Sequence, residues 1–315
     1  MRQKRPTQAP VASQIRVRAS DAHRRPTAHT LSSMPPAMVG LTTVRIRALA
    51  SAAHPEPVVA VTALVAGLAW SAGRGWSSLL VAAAVGVGHL GIGWSNDYLD
   101  RDLDRTAGRT TKPIVAGTVS ASTVRTAAIA ALVAHVPLAL LTGVYGAVAL
   151  FAAEAIALAY NWRLKDLPVS VLAYAVSFGL APAVITLGMT PPHLPAPWAV
   201  GVAAGLGITG HLTQVLGDVP SDRQRGSHGF PQLLGRGSST WLAVIALVSA
   251  ALIAVIGSGL MIAIAVPLLL IELAGATGIL IAARRGAHRL SFRLVLVLAV
   301  IVVVALLLAG RRIAA

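Results

Sequence analysis

Asn96-Asp97-Tyr98-Leu99-Asp100-Arg101-Asp102-Leu103-Asp104 closes one long apolar run, and a second acidic window, Asp218-Val219-Pro220-Ser221-Asp222, closes another. The chain has only 11 acidic residues among 315, and six of them lie in these two windows. A carboxylate at the edge of a bilayer loses hydration and repels its neighbours, so such a concentration points to a bound ligand that offsets the cost.

The runs that lead into these windows decide the fold class. Hydrophobic residues make up 56% of the chain and charged residues 12%, against roughly a quarter charged in soluble domains, and the mean hydropathy is +0.74. Apolar stretches of about 20 residues, each long enough to cross a hydrocarbon core, recur from residue 58 to the end. They are continuous rather than alternating, which excludes a β-barrel. The pattern predicts an all-α polytopic membrane protein with about nine spans, at 48–71, 76–99, 121–142, 144–161, 168–189, 197–217, 239–257, 259–283 and 292–310. The division between the third and fourth spans rests on Gly143 alone.

A net charge of +15 would suggest nucleic acid in a soluble protein. Here the basic residues gather in alternate loops, as the positive-inside rule expects. Arg101, Arg105, Arg109 and Lys112 follow span 2; Arg163 and Lys165 follow span 4; Arg223, Arg225 and Arg236 follow span 6; Arg284, Arg285, Arg289 and Arg293 follow span 8. The opposite loops carry only Arg74, with Arg311 and Arg312 a minor exception at the C-terminus. The N-terminus and both acidic windows are therefore expected on the cytoplasmic side, with the plasma membrane as the expected location. With 4% aromatics and no basic-aromatic face, a nucleic-acid partner is not expected. The lack of cysteine excludes thiolate metal sites and disulfides.

Residues 1–44 read as a disordered basic tail and 45–315 as the membrane domain. The tail holds Arg2, Lys4, Arg5, Arg16, Arg18, Arg24 and Arg25 against a single acid, Asp21, and has no sustained apolar face. It does not have the form of a secretory signal. A transit peptide, or a start at Met34 or Met38, are the alternatives.

The windows have helical spacing. At 100° per residue Asp97, Asp100 and Asp104 fall within about 60° of one another while Asp102 points away, and Asp218 and Asp222 form an i, i+4 pair. Like charges so placed cost a helix a few tenths of a kcal/mol per pair, and two of them about 4 Å apart repel by roughly 4 kcal/mol at an effective dielectric near 20. A divalent cation reverses that balance. Magnesium takes one or two carboxylates and completes its shell with water and phosphate oxygens, which suits these pairs. Arg105, Arg109 and Lys112 after the first window, and Arg223 after the second, would meet the remaining phosphate charge.

The first window has the spacing Asn-Asp-x2-Asp-x3-Asp, followed by Lys112-Pro113-Ile114-Val115-Ala116-Gly117; the second reads Asp218-x3-Asp222-x3-Gly226 with Leu233-Leu234-Gly235 beyond. With nine spans over about 45–310, this resembles the UbiA superfamily of intramembrane aromatic prenyltransferases. The resemblance implies a ring-like bundle of nine helices around an apolar chamber. It also implies magnesium-dependent transfer of a prenyl group from an isoprenoid diphosphate to a small-molecule acceptor such as an aromatic or quinone precursor, in contact with membrane lipid. On that pattern Asn96, Asp97, Asp100 and Asp104 would hold one magnesium and Asp218 and Asp222 the other. Asp97, Asp100, Asp104, Asp218 and Asp222 would be the catalytic carboxylates, and Lys165, after Tyr160, would join Arg105, Arg109, Lys112 and Arg223 on the diphosphate. The chain departs from the family's pattern in having Lys112-Pro113 where many members have Arg-Pro, and Gln214 where several have another Asp.

Other readings remain beside this one. The windows taken singly could be solvated mixed-charge loops. A terpene cyclase on the same chamber would capture the cation internally, and a transporter or cation-binding protein would place its acids near the midplane. Glu154 and Glu272 lie inside spans, where an ionisable group is a functional candidate by default, although a packing role is the plainer one. His89, His135 and His211 read as hydrogen-bonded structural residues, with His211 a candidate for the acceptor pocket. Trp94 and Trp162 read as interfacial anchors.

Overall fold

A computed structural model describes residues 36–224 and 226–315. The segment 1–35, which holds most of the expected basic tail, and Arg225 lie outside the described residues. Spatial proximity separates residues 1–41 from a second unit spanning 42–315, which holds the membrane bundle.

Among the described residues thirteen α-helices follow one another: α1 (Pro36–Ala52), α2 (Pro55–Ala69), α3 (Ser78–Thr106), α4 (Ala121–Leu141), α5 (Val144–Trp162), α6 (Ser170–Gly179), α7 (Ala181–Thr186), α8 (Pro197–Gln214), α9 (Val219–Gln224), α10 (Phe230–Leu234), α11 (Arg236–Ser258), α12 (Ile262–Arg284) and α13 (His288–Ala309). No β-strand occurs among the described residues. By length and composition six stretches among the described residues can cross a membrane, one of them the 52-residue stretch that holds both α2 and α3. A shorter apolar stretch, Ser170–Thr186, holds α6 and α7. With α8, these helices account for the nine predicted spans, and the molecule is an all-α polytopic membrane protein.

Four boundaries differ from the expectation. The first predicted span, 48–71, is two helices that meet at His54. The residue before a proline is pushed out of the α region, and His54 precedes Pro55 and adopts φ 55°. Helix α1 begins at Pro36, so residues 36–44 of the predicted tail are helical. The second span runs on to Thr106: at 29 residues α3 is about 43 Å long, well beyond a hydrocarbon core of about 30 Å. The acidic window is therefore part of a rigid helix and not a loop. The fifth span breaks at Leu180, ahead of Pro182, into α6 and α7.

The main apolar core joins α2, α3, α5, α7, α8, α11, α12 and α13, with small residues such as Ala84, Ala147, Ala199, Ala250 and Ala305 fully buried at the crossings. Small side chains let membrane helices approach closely, which is where their packing energy comes from. Gly93 is one such point. The Ala53 carbonyl lies where its Cβ would be, so α3 admits the end of α1 only because this residue is glycine. Trp94 fixes the same junction by donating to the Leu49 carbonyl at 2.8 Å, a tertiary tie where an interfacial anchor was expected. Large apolar side chains face outward along α4, α11, α12 and α13, as a lipid-facing surface requires.

Candidate active site

The chamber is a cavity of about 1150 Å³ lined by α2, α3, α5, α6, α7 and α8 and by the segment after α8. Its wall is apolar at one end, with Val61, Leu64, Val65, Val85, Leu150 and Val184, and polar at the other, with Asn96, Asp100, Arg109, Lys112, Lys165, Asp218 and Asp222. Both acidic windows thus reach one mouth.

Helix α3 sorts the first window by face. Asp102, on the outward stripe, is 66% exposed and pairs with Arg101 at 3.2 Å and Arg105 at 2.9 Å. Asp97 and Asp104 are 1% and 2% exposed, and each has a basic partner from the loop after α3. Lys112 Nζ donates to Asp97 Oδ1 at 2.8 Å and lies 3.1 Å from His54 Nε2. Arg109 lies 3.3 Å from Asp104 Oδ1 and, through its other terminal nitrogen, 3.1 Å from Asp218 Oδ2. One guanidinium therefore bridges the two windows. Asp100 lines the cavity and pairs with Lys165, which arrives from the turn after α5.

The second window, mostly on the short helix α9, is held by contacts from α10 and α11. Helix α8 ends at Gln214, and Arg236 donates to the Leu216 and Gly217 carbonyls at 2.9 and 3.0 Å. Arg223 donates to the Gln232 and Leu233 carbonyls, and Gln232 Nε2 donates to Asp222 Oδ2 at 2.9 Å.

Of the residues singled out in the sequence, Asn96, Asp100, Arg109, Lys112, Lys165, Asp218 and Asp222 meet at the mouth. Asp97 and Asp104 stand behind it, buried against Lys112 and Arg109. Two of the expected diphosphate contacts are engaged elsewhere. Arg105 points outward to Asp102 because it lies three residues on along the same helical stripe, and Arg223 is spent on the carbonyls of α10. Sequence reasoning passed over His54 and Gln232. The Pro55-Glu56-Pro57 run marks the break that places His54; no local signal marks Gln232. Burial, and then the neighbouring Lys112 ammonium, hold His54 below the ordinary imidazole value of 6.5, so at neutral pH it accepts from Lys112 without adding charge.

Beneath the mouth lies an aromatic cluster. Tyr160 and Tyr174 meet edge to face at 4.9 Å, and the His211 ring sits 4.8 Å from Tyr174 and 5.6 Å from Tyr160. Ser170 Oγ accepts from the Phe230 amide at 2.9 Å and lies 3.1 Å from His211 Nε2, which turns Nδ1 towards the Tyr160 hydroxyl, 3.5 Å away. Gln214, at the departure from the expected Asp, lies against the Tyr174 hydroxyl.

The family model of the UbiA prenyltransferase family matches residues 58–297. The chain belongs to the UbiA prenyltransferase family. It is accordingly an intramembrane prenyltransferase. Solved structures of the same fold include a digeranylgeranylglyceryl phosphate synthase, 14% identical, covering 85% of this chain and 98% of that one with a TM-score of 0.63. A UbiA homologue from Aeropyrum pernix K1 without ligand is 22% identical, covering 78% of this chain and 96% of that one, with a TM-score of 0.64. A homologue from Archaeoglobus fulgidus bound to GPP and Mg2+ is 16% identical, covering 82% and 99%, with a TM-score of 0.59. No curated protein sequence matches the chain significantly.

Proposed function

We propose that this UbiA-family member ionises an isoprenoid diphosphate at the polar mouth of its chamber and passes the prenyl cation to an electron-rich acceptor, an aromatic compound or quinone precursor, with magnesium as the cofactor. The observation that carries the reading is the Arg109 bridge from Asp104 to Asp218, which draws both acidic windows to the mouth of one apolar-walled cavity.

The residues present fit magnesium. The donors are hard oxygens, and among the described residues no three His, Asp or Glu side chains converge into a closed set. That is the form expected for an ion that takes one or two carboxylates and leaves its other positions to water and phosphate. Asn96 and Asp100 would hold one ion and Asp218 and Asp222 another, with Asp97 and Asp104 orienting Lys112 and Arg109. Bound there, the metal supplies positive charge to the phosphate oxygens as the allylic C–O bond breaks.

The chain's own side chains do the rest. Arg109, Lys112 and Lys165 place positive charge around the departing diphosphate, which keeps the electron pair of the broken bond. Tyr160 and Tyr174 line the cavity just below, where an aromatic ring favours the cation. The apolar wall excludes water that would otherwise capture it as an alcohol. The acceptor forms the new bond and gives up its proton. Loop charges support a cytoplasmic mouth, and the 1–44 tail is read as dispensable to the reaction.

The test is magnesium-dependent release of diphosphate from labelled geranyl, farnesyl and geranylgeranyl diphosphates by detergent-purified protein with mixed acceptors. Asp100→Ala and Asp222→Ala should each lower the rate by about 10²–10³-fold. The labelled product separates transfer from cyclisation. A wild-type protein of intact fold that releases nothing from any of the three would overturn the reading.

A further inference from the structure

A groove of about 160 Å³ lies between the start of α11 and the end of α12 and shares no lining residue with the chamber. Arg236, Gly237 and Trp241 line it from the first turns of α11, and Leu280 and Arg284 from the last turns of α12. Two guanidiniums and no carboxylate thus face one space. Arg284 is exposed and has no hydrogen bond or ion pair among the described residues. Arg236 gives Nε and one terminal nitrogen to the Leu216 and Gly217 carbonyls, directly ahead of Asp218, and its other terminal nitrogen has no partner among the described residues. The groove therefore opens at the same end of the bundle as the acidic mouth. Below it the two helix faces continue as exposed apolar side chains, Ile245 and Leu252 under Trp241 on α11 and Leu273 under Leu280 on α12.

We propose that this groove binds the phosphate of an anionic phospholipid, and that its occupant steadies the backbone ahead of Asp218 through Arg236. The planar fork of an arginine matches phosphate oxygens, and Trp241 stands at the headgroup level where tryptophan is enriched. The apolar strip beneath gives the acyl chains a track that a free phosphate would leave uncovered. Net charge selects the lipid. In phosphatidylcholine the phosphate carries its own ammonium, which the two guanidiniums would repel, whereas phosphatidylglycerol brings an uncompensated negative charge. Arg236 is the connection to the mouth: an anion on its remaining nitrogen holds the guanidinium in the pose that grips the Leu216 and Gly217 carbonyls.

The experiment offers the full chain in detergent equal amounts of phosphatidylglycerol and phosphatidylcholine with identical acyl chains, and native mass spectrometry reads the lipid retained. Wild type should retain phosphatidylglycerol over phosphatidylcholine by about fivefold or more. Arg284→Gln should lower that ratio about fivefold, while Arg285→Gln, the same loss of charge just outside the groove, should change it less than about twofold. Gly237→Leu keeps both arginines and takes up groove volume, since no atom lies within 4 Å of where its Cβ would be; it should lower the ratio likewise. Inorganic phosphate at the lipid's concentration should not displace the lipid. In nanodiscs, amide exchange over residues 216–222 should be about threefold slower or more in phosphatidylglycerol than in phosphatidylcholine for wild type, and equal in the two for Arg284→Gln. Equal retention of the two lipids by wild type, an equal loss in Arg284→Gln and Arg285→Gln, or displacement by inorganic phosphate overturns the lipid site. Selective retention with unchanged exchange over 216–222 upholds the site and overturns its connection to the acidic window. Neither readout depends on catalysis, so a protein that releases no diphosphate would overturn the prenyl-diphosphate reading and leave this one standing.

Discussion

The two acidic windows carry the same residue type to the same cavity mouth by different means. The first rides on α3, whose backbone ladder fixes every side chain by its angle about the axis: Asp100 to the cavity, Asp97 and Asp104 into protein, Asp102 to solvent. The second begins where α8 has ended and lies mostly on the short helix α9, where Asp222 is oriented through contacts with α10, from Arg223 to its carbonyls and from Gln232 to the Asp222 carboxylate. A long helix sets geometry from within. A six-residue helix such as α9 has to borrow it from its neighbours, and short segments with few buried contacts open at lower free energy than the interiors of long helices. The first window is thus a fixed wall and the second the adjustable partner, with Arg109 as the link between them.

Lys112→Ala tests the rigidity of the first window and carries the largest expected effect. It leaves Asp97 buried without its cation, and breaking a buried pair from one side costs about 3 kcal/mol; the melting temperature should fall clearly, and an unchanged one would mean that Asp97 is hydrated. Arg223→Ala tests the borrowed geometry of the second. It should raise KM for the diphosphate about tenfold while global unfolding shifts by less than about 1 kcal/mol, and a loss of stability with unchanged KM would reverse the assignment. A smaller effect belongs to His54. Its folded value lies below 6.5, so the unfolded chain takes up the proton first, and its share of stability is present above pH 6.5 and declines as pH falls from there to the lowered folded value. Between pH 7.5 and 5.5 the wild-type melting temperature should therefore drop more than that of His54→Asn, by on the order of 1 °C. The smallest is Arg105→Ala. Its ion pair with Asp102 is exposed on both sides, and activity and stability should stay within about 0.5 kcal/mol of wild type.

That ordering parallels what the sequence discloses. Helical periodicity alone separates Asp102 from Asp97, Asp100 and Asp104, and the same periodicity places Arg105 with Asp102 and away from the cavity. Whatever depends on angle around one helix is legible. Contacts between distant segments are not: nothing near Arg109 says that it reaches Asp218, and nothing near Gln232 says that it holds Asp222. The helix ends show the same contrast. The Pro-x-Pro run after His54 marks a break by local sterics, whereas the reach of α3 to Thr106 depends on the buried partners that let four carboxylates remain helical.

Arg74 extends this to how the chain is made. It donates to the carbonyls of Thr142 and Ile185, 68 and 111 residues further on, at the helix ends of α4 and α7. A ribosome delivers Arg74 to the bilayer before either acceptor has been synthesised, and domains take shape in the order in which they emerge. During that interval the guanidinium has Ser77 and otherwise water and lipid headgroups for partners, which keeps it at the surface opposite the acidic mouth. When α7 arrives, the same residue ties the connection after α2 to the ends of α4 and α7.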